Sequence, residues 1–128
     1  MLVFNGDTLH SDNRKAETEA SGHRLDVDTR YNRVLEYVEE TMVESVNLAA
    51  QQSESVLLQI LPGNHDWHTA HCLSRIMRAY YRDSPNVQVE VNPCPRRAIK
   101  WGDVMIALAH GDRVKPAKWA QIIATQFL

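Results

Sequence analysis

Short apolar runs alternate with longer amphipathic stretches along this chain, and the two periods predict its elements. Leu2, Val3 and Phe4 form a run stopped at Gly6 and read as a strand, or the end of one. Residues 7–27 are polar and aperiodic. They read as a long loop, either functional or a disordered insertion. Asp28 is a suitable N-cap for the next segment, where Tyr31, Val34, Leu35, Val38, Met42, Val46 and Ala49 recur at three- and four-residue steps. This spacing predicts an amphipathic helix of about six turns with Glu36, Glu39, Glu40 and Glu44 on its wet side. Val56, Leu57, Leu58, Ile60 and Leu61 are almost continuously apolar, as in a parallel strand buried on both faces. Leu73, Ile76, Met77 and Tyr80 mark a second helix that Ser84-Pro85 ends. Val87, Val89 and Val91 alternate with polar residues as a half-exposed strand does.

Downstream, Pro93 and Pro95 bracket Cys94 in a turn, and two apolar runs flank Gly102-Asp103. A Gly-X pair in that position favours a type II′ hairpin. Val104, Ile106 and Leu108 should carry its second strand deep into a core. Pro116 suits a first helical position, and Trp119, Ile122, Ile123 and Phe127 give a third apolar stripe. The alternation of strands and helices predicts an α/β layered domain over residues 1–128.

Composition narrows the classes. A chain of 128 residues, 44% hydrophobic and 23% charged, is globular rather than disordered and can hide roughly two-thirds of its unfolded surface. No apolar stretch approaches the ~20 residues that span a bilayer, and no signal peptide is visible, so no membrane partner is expected. Cys72 and Cys94 make no disulfide framework and read as reduced thiols of a cytoplasmic protein. A net charge of −2 excludes a generally basic nucleic-acid coat.

Three polar motifs each follow an apolar run: Gly6-Asp7, Gly63-Asn64-His65-Asp66 and His110-Gly111-Asp112. In open α/β sheets the carboxyl ends of the strands form the ligand crevice, so Asp7, Asn64, His65 and His110 are expected to converge. A carboxylate, an amide oxygen and an imidazole suit Mn²⁺, Fe²⁺ or Zn²⁺. His65 need not be a ligand; it can face substrate and donate a proton.

These motifs resemble those of the calcineurin-like metallophosphoesterase family. That family builds a two-metal site from Asp-x-His, Gly-Asp-x-x-Asp, Gly-Asn-His-Asp/Glu, a lone His often followed by Gly, and Gly-His-x-His. Gly6-Asp7-Thr8-Leu9-His10 looks like the second of these, Gly63–Asp66 matches the third, and His110-Gly111 looks like the fourth. The stretch Asp7–Asn13 also looks like a phage-encoded branch, which would place the protein in the host-cell cytoplasm. The resemblance implies a layered sheet sandwich and hydrolysis of a phosphoester, a diester or nucleotide, by a hydroxide activated by two divalent ions. It implies that Asp7 bridges the metals, that Asn64 and His110 bind the second metal, and that His65 is the catalytic histidine. His10 stands where the family's second motif usually has Asp or Asn, whose carboxylate can support that histidine; Asp12 or Asp66 would then substitute. Arg113 lies just after His110 and is a candidate substrate contact. No Asp-x-His precedes Gly6 and no Gly-His-x-His follows His110, so the domain is expected to be incomplete at both ends, with a partial second-metal site and an uncovered core face.

Two other readings compete. His65, His68 and His71, with Cys72, are spaced as a rival metal site, but on a helix the i+6 position turns away from i. His68 then reads as a substrate-side residue and His71 as a helix-surface one. A non-catalytic nucleic-acid-binding module would use the locally basic Arg96, Arg97, Lys100, Arg113, Lys115 and Lys118, with Trp67 or Trp101 stacking a base.

Overall fold

A computed structural model of the chain describes residues 1–18, 21–27, 30–112 and 114–127. The continuous apolar run forms β2 (Val56–Leu61), the middle strand of a three-stranded sheet. It pairs in parallel with β1 (Leu2–Asn5), Leu2 opposite Leu58, and with β3 (Val87–Glu90), Val56 opposite Val87. Both parallel pairings need long crossovers, and helices supply them. α1 (Tyr31–Gln52) joins the region after β1 to β2, and α2 (Trp67–Tyr80) joins β2 to β3.

Alternation along a strand separates its two faces. Val56, Leu58 and Ile60 share one face with Met42 and Val46 of α1 and Leu73 and Met77 of α2, in a single buried cluster. Ile76 and Tyr80, expected in the α2 stripe, are exposed instead; Ala70 and Tyr81 take those places in the core. The expected cap Asp28 lies outside the described residues. The described start of α1 has Arg30 at its N-cap position with no side-chain cap.

The long loop after β1 is not uniformly solvated. Leu9 is fully buried within the core cluster, and Ser11 is buried as well. Further along, Glu17 and Arg24 form an isolated antiparallel bridge.

β4 (Arg96–Trp101) and β5 (Val104–Ala109) form a separate antiparallel hairpin. Gly102 has φ +57° while Asp103 stays negative, as a type II′ turn requires. The expectation that β5 runs deep into a core is corrected. Trp101, Val104 and Ile106 are exposed, and no hairpin residue belongs to the buried cluster. Apolar alternation marked a strand, but these positions stay exposed among the described residues.

One buried side chain docks the hairpin on the parallel sheet. Arg97, only 5% exposed, approaches Glu90 of β3 with Nε 3.2 Å from Oε1. That N–H is not aligned for a hydrogen bond, so the attraction there is Coulombic. Its two terminal nitrogens donate to the carbonyls of Cys94, Arg96 and Asn92. Glu90 also accepts from the buried Gln59 of β2 at 2.5 Å.

A short 3-10 turn, Pro116–Lys118, has its proline at the first helical position and leads into α3 (Trp119–Gln126), which buries no residue fully. The chain is thus mixed α/β, with two small sheets and three α-helices among the described residues. No helix among them is long and apolar enough to cross a membrane. Neither cysteine is in a disulfide.

Tyr81 ties α2 to α1, its hydroxyl 2.9 Å from Asn47 Oδ1 and 3.1 Å from the Val43 carbonyl. Burial, with a smaller effect from Tyr80, raises its pKa above the ordinary 10.0. The native state therefore holds this proton more tightly than the unfolded chain. The resulting stability is complete below about pH 10 and is lost as pH rises through the folded pKa. Unfolding titrations in urea should show Tyr81→Phe costing about 1 kcal/mol near neutral pH and flattening the alkaline decline. An unchanged alkaline slope would assign that decline to other groups.

Candidate active site

Three loops meet beside the end of β1. Gly6 and Asp7 both adopt left-handed backbone, with φ +81° and +52°. Aspartate tolerates that region better than most residues, and held backbone of this kind concentrates at functional sites. The turn presses Asp7 against Gly63. A Cβ on Gly63 would lie 2.0 Å from Asp7 Oδ1 and 2.4 Å from its backbone nitrogen. A Cβ on Gly6 would lie 2.6 Å from His110 Nδ1 and 2.9 Å from the Gly63 Cα. The two glycines are therefore what allows all three motifs to touch.

Asp7 sits at the centre of the contact. Its Oδ1 accepts the His65 backbone N–H at 3.0 Å, and its Oδ2 is 3.0 Å from His110 Nε2. His110 arrives from the hairpin rather than from a strand of the parallel sheet. Asn5 clamps it there, donating its Nδ2 to the Ala109 carbonyl at 3.1 Å and accepting from His110 Nδ1 at 3.1 Å. A carbonyl oxygen can only accept, so His110 Nδ1 carries the proton. In the neutral ring the Nε2 lone pair then faces the Asp7 carboxylate. Two acceptors at that distance require a proton or another cation near them.

His65 uses the same device. Its Nδ1 is 2.8 Å from the His10 carbonyl, so Nδ1 donates and Nε2 is left for chemistry. The His10 ring stacks on it, with centroids 5.3 Å apart. Asn64 is half-buried, and its side chain makes no hydrogen bond among the described residues.

The two carboxylates expected to support His65 do something else. Asp66 is fully buried, and its Oδ1 accepts the Gly63 amide at 2.7 Å. Its Oδ2 accepts Thr8 at 2.7 Å and Leu9 at 3.4 Å. It thereby staples the loop after β1 to the loop after β2. Asp12 caps α2 from a distance, accepting the amides of His68 at 2.7 Å and Thr69 at 2.9 Å. Those donors are the ones an N-cap side chain ordinarily satisfies, and Asp66 at the N-cap position leaves them free. Thr69 also gives its hydroxyl to Asp12 and lies 2.5 Å from the Tyr31 hydroxyl of α1. Neither carboxylate orients the His65 ring; a backbone carbonyl does. Arg113 lies outside the described residues.

The pair at Asp7 fits a divalent cation in type: a carboxylate oxygen and an imidazole Nε2 with its tautomer fixed. Among the described residues no three His, Cys, Asp or Glu side chains group around one point. Asp7 and His110 are a pair, and the third candidate donor is the Asn64 amide. The rival cluster of His65, His68, His71 and Cys72 does not assemble either. The basic stretch of the nucleic-acid reading is broken up, because Arg97 is buried at the hairpin dock while Lys100, Lys115 and Lys118 are exposed. Set against protein-family models, curated proteins and solved structures, the chain matches none.

Proposed function

We propose that this chain carries the metal-binding and proton-donating part of a metallophosphoesterase site, acting on a phosphodiester or nucleotide. The carrying observation is the pairing of Asp7 Oδ2 with His110 Nε2 at 3.0 Å, with the other nitrogen of His110 committed to the Asn5 carbonyl. In this reading Asp7, His110 and Asn64 hold a divalent ion such as Mn²⁺, Fe²⁺ or Zn²⁺. The parallel sheet and the hairpin are then layers of the sandwich of the calcineurin-like family. A bound divalent ion would supply a water deprotonated near neutral pH and charge stabilisation at the phosphoryl oxygens. The protein's own groups do the rest. The His65 amide fixes one oxygen of Asp7, the Asn5 carbonyl fixes the His110 ring, and protonated His65 Nε2 donates to the departing oxygen.

Mn²⁺ binding, followed by electron paramagnetic resonance, tests the site directly. His110→Ala and Asn64→Ala should weaken Mn²⁺ by at least the 10–100-fold that even outer-sphere losses cost. Mn²⁺-dependent hydrolysis of bis-p-nitrophenyl phosphate should vanish with chelator, return with Mn²⁺, and fall 10²–10⁴-fold in His65→Asn, the usual worth of a general acid. Equal Mn²⁺ affinity in wild type and His110→Ala would sink the proposal.

A further inference from the structure

The tetrapeptide Gly63–Asp66 is bracketed by Pro62 and Trp67, and both of these line a groove of about 310 Å³. Ile60 and Pro62, both buried, are among its walls, and Pro93 adds further apolar surface from the turn after β3. His71 of α2 and Asn92 also line it and supply polar edges. Trp67 is two residues from His65, so their Cα atoms are at most about 7 Å apart. The groove therefore lies close to the candidate catalytic histidine along the chain, although His65 itself is not one of its walls.

Its size is at the low end for a small-molecule pocket, where about 300–1,000 Å³ is usual. That volume suits one ring system and excludes a folded peptide or a duplex. An apolar wall that includes an indole, together with a few groups able to hydrogen-bond, is what a flat, polar-edged ring needs. Base–aromatic stacking of this type is sequence-tolerant because every base presents a π-face. We infer that this groove is the subsite for the organic part of the substrate, and that it takes a nucleobase. The inference rests on the phosphoesterase reading only for its placement, since the groove itself involves none of Asp7, Asn64, His65 or His110.

Adenosine is the probe, because it carries the base and ribose but no phosphoester. Titration calorimetry in the presence of chelator should detect adenosine binding to the intact chain and to His65→Asn alike, with ribose giving no heat. Trp67→Leu keeps apolar bulk but removes the flat face, and should weaken adenosine at least tenfold. Cys72→Phe, at an exposed position lining the same groove, fills it without disturbing the core and should weaken adenosine similarly. Ribose binding as tightly as adenosine, no adenosine binding at millimolar concentration, or unaltered affinity in Cys72→Phe would overturn the inference. Adenosine binding without any Mn²⁺-dependent hydrolysis would remove only the phosphoesterase reading. Hydrolysis without adenosine binding would remove only the subsite.

Discussion

Asp66→Ala should destabilise the chain by about 3–5 kcal/mol, because the carboxylate is fully buried and accepts three backbone amides. Each orphaned buried donor costs about 1–3 kcal/mol, and the bond to Leu9 at 3.4 Å counts least. The Leu9 and Gly63 amides are in buried bonds, so water does not readily replace the lost acceptor there. Leu9 sits in the core one residue beyond Thr8, so the loss of the staple also loosens apolar packing. Asp66→Asn keeps one acceptor oxygen but turns an amide donor towards other donors, and should cost roughly half as much. Urea unfolding gives the comparison through the midpoint at unchanged m-value. A loss below about 1 kcal/mol in Asp66→Ala would mean that the staple is not what joins the two loops.

Arg97→Ala should act on a smaller region with a sharper functional effect. Removing one member of a buried ion pair commonly costs about 3–5 kcal/mol; here the Glu90 side chain is 34% exposed, which places the expectation at the lower end. The alanine also frees three carbonyls that the guanidinium fans across, at Asn92, Cys94 and Arg96. Lysine cannot reproduce that fan, so Arg97→Lys should not rescue. The parallel sheet and its two helices do not depend on the hairpin for their shared core. The expected result is a hairpin whose amides lose hydrogen-exchange protection while those of β2 keep theirs. Because β5 delivers His110, Mn²⁺ affinity should fall along with the protection. Hairpin protection equal to wild type would show that another contact does the docking.

How much of this was legible in the sequence differs from residue to residue. β2 could be read almost to the residue, because a strand buried on both faces is almost continuously apolar, interrupted here by Gln59 alone. The hairpin turn was legible because Gly-Asp has a local conformational reason to be there. The burial of β5 was not, since Val104 and Ile106 alternate identically whether or not a neighbour covers them. Leu9 is an apolar residue isolated among polar neighbours and gives no periodic signal. For the site, three motifs after apolar runs pointed to a meeting of their loops, but His110 reaches Asp7 from a separate antiparallel hairpin and not from the parallel sheet, and His65 touches Asp7 through its backbone amide. The roles of Asp12 and Asp66 did not follow. Both carboxylates reach backbone amides more than fifty residues away along the chain, Asp66 in addition to the nearby amide of Gly63, and an amide has no residue identity to read. The orienting partner of His65 was hidden for the same reason, being the carbonyl rather than the side chain of His10.

The parallel pairing of β1 with β2 also dictates an order of assembly. Leu2 meets Leu58 only after the whole of the loop and α1 has been gathered in, a closure that costs entropy before any pairing rewards it. The β4–β5 hairpin closes over a two-residue turn and needs no such wait. Strand β1 should therefore be the late arrival in folding, and Asp7, which follows it, the last member of the candidate site to fall into place. Substitutions in β1 would then mainly speed unfolding, whereas those in β2 and α2 would slow folding.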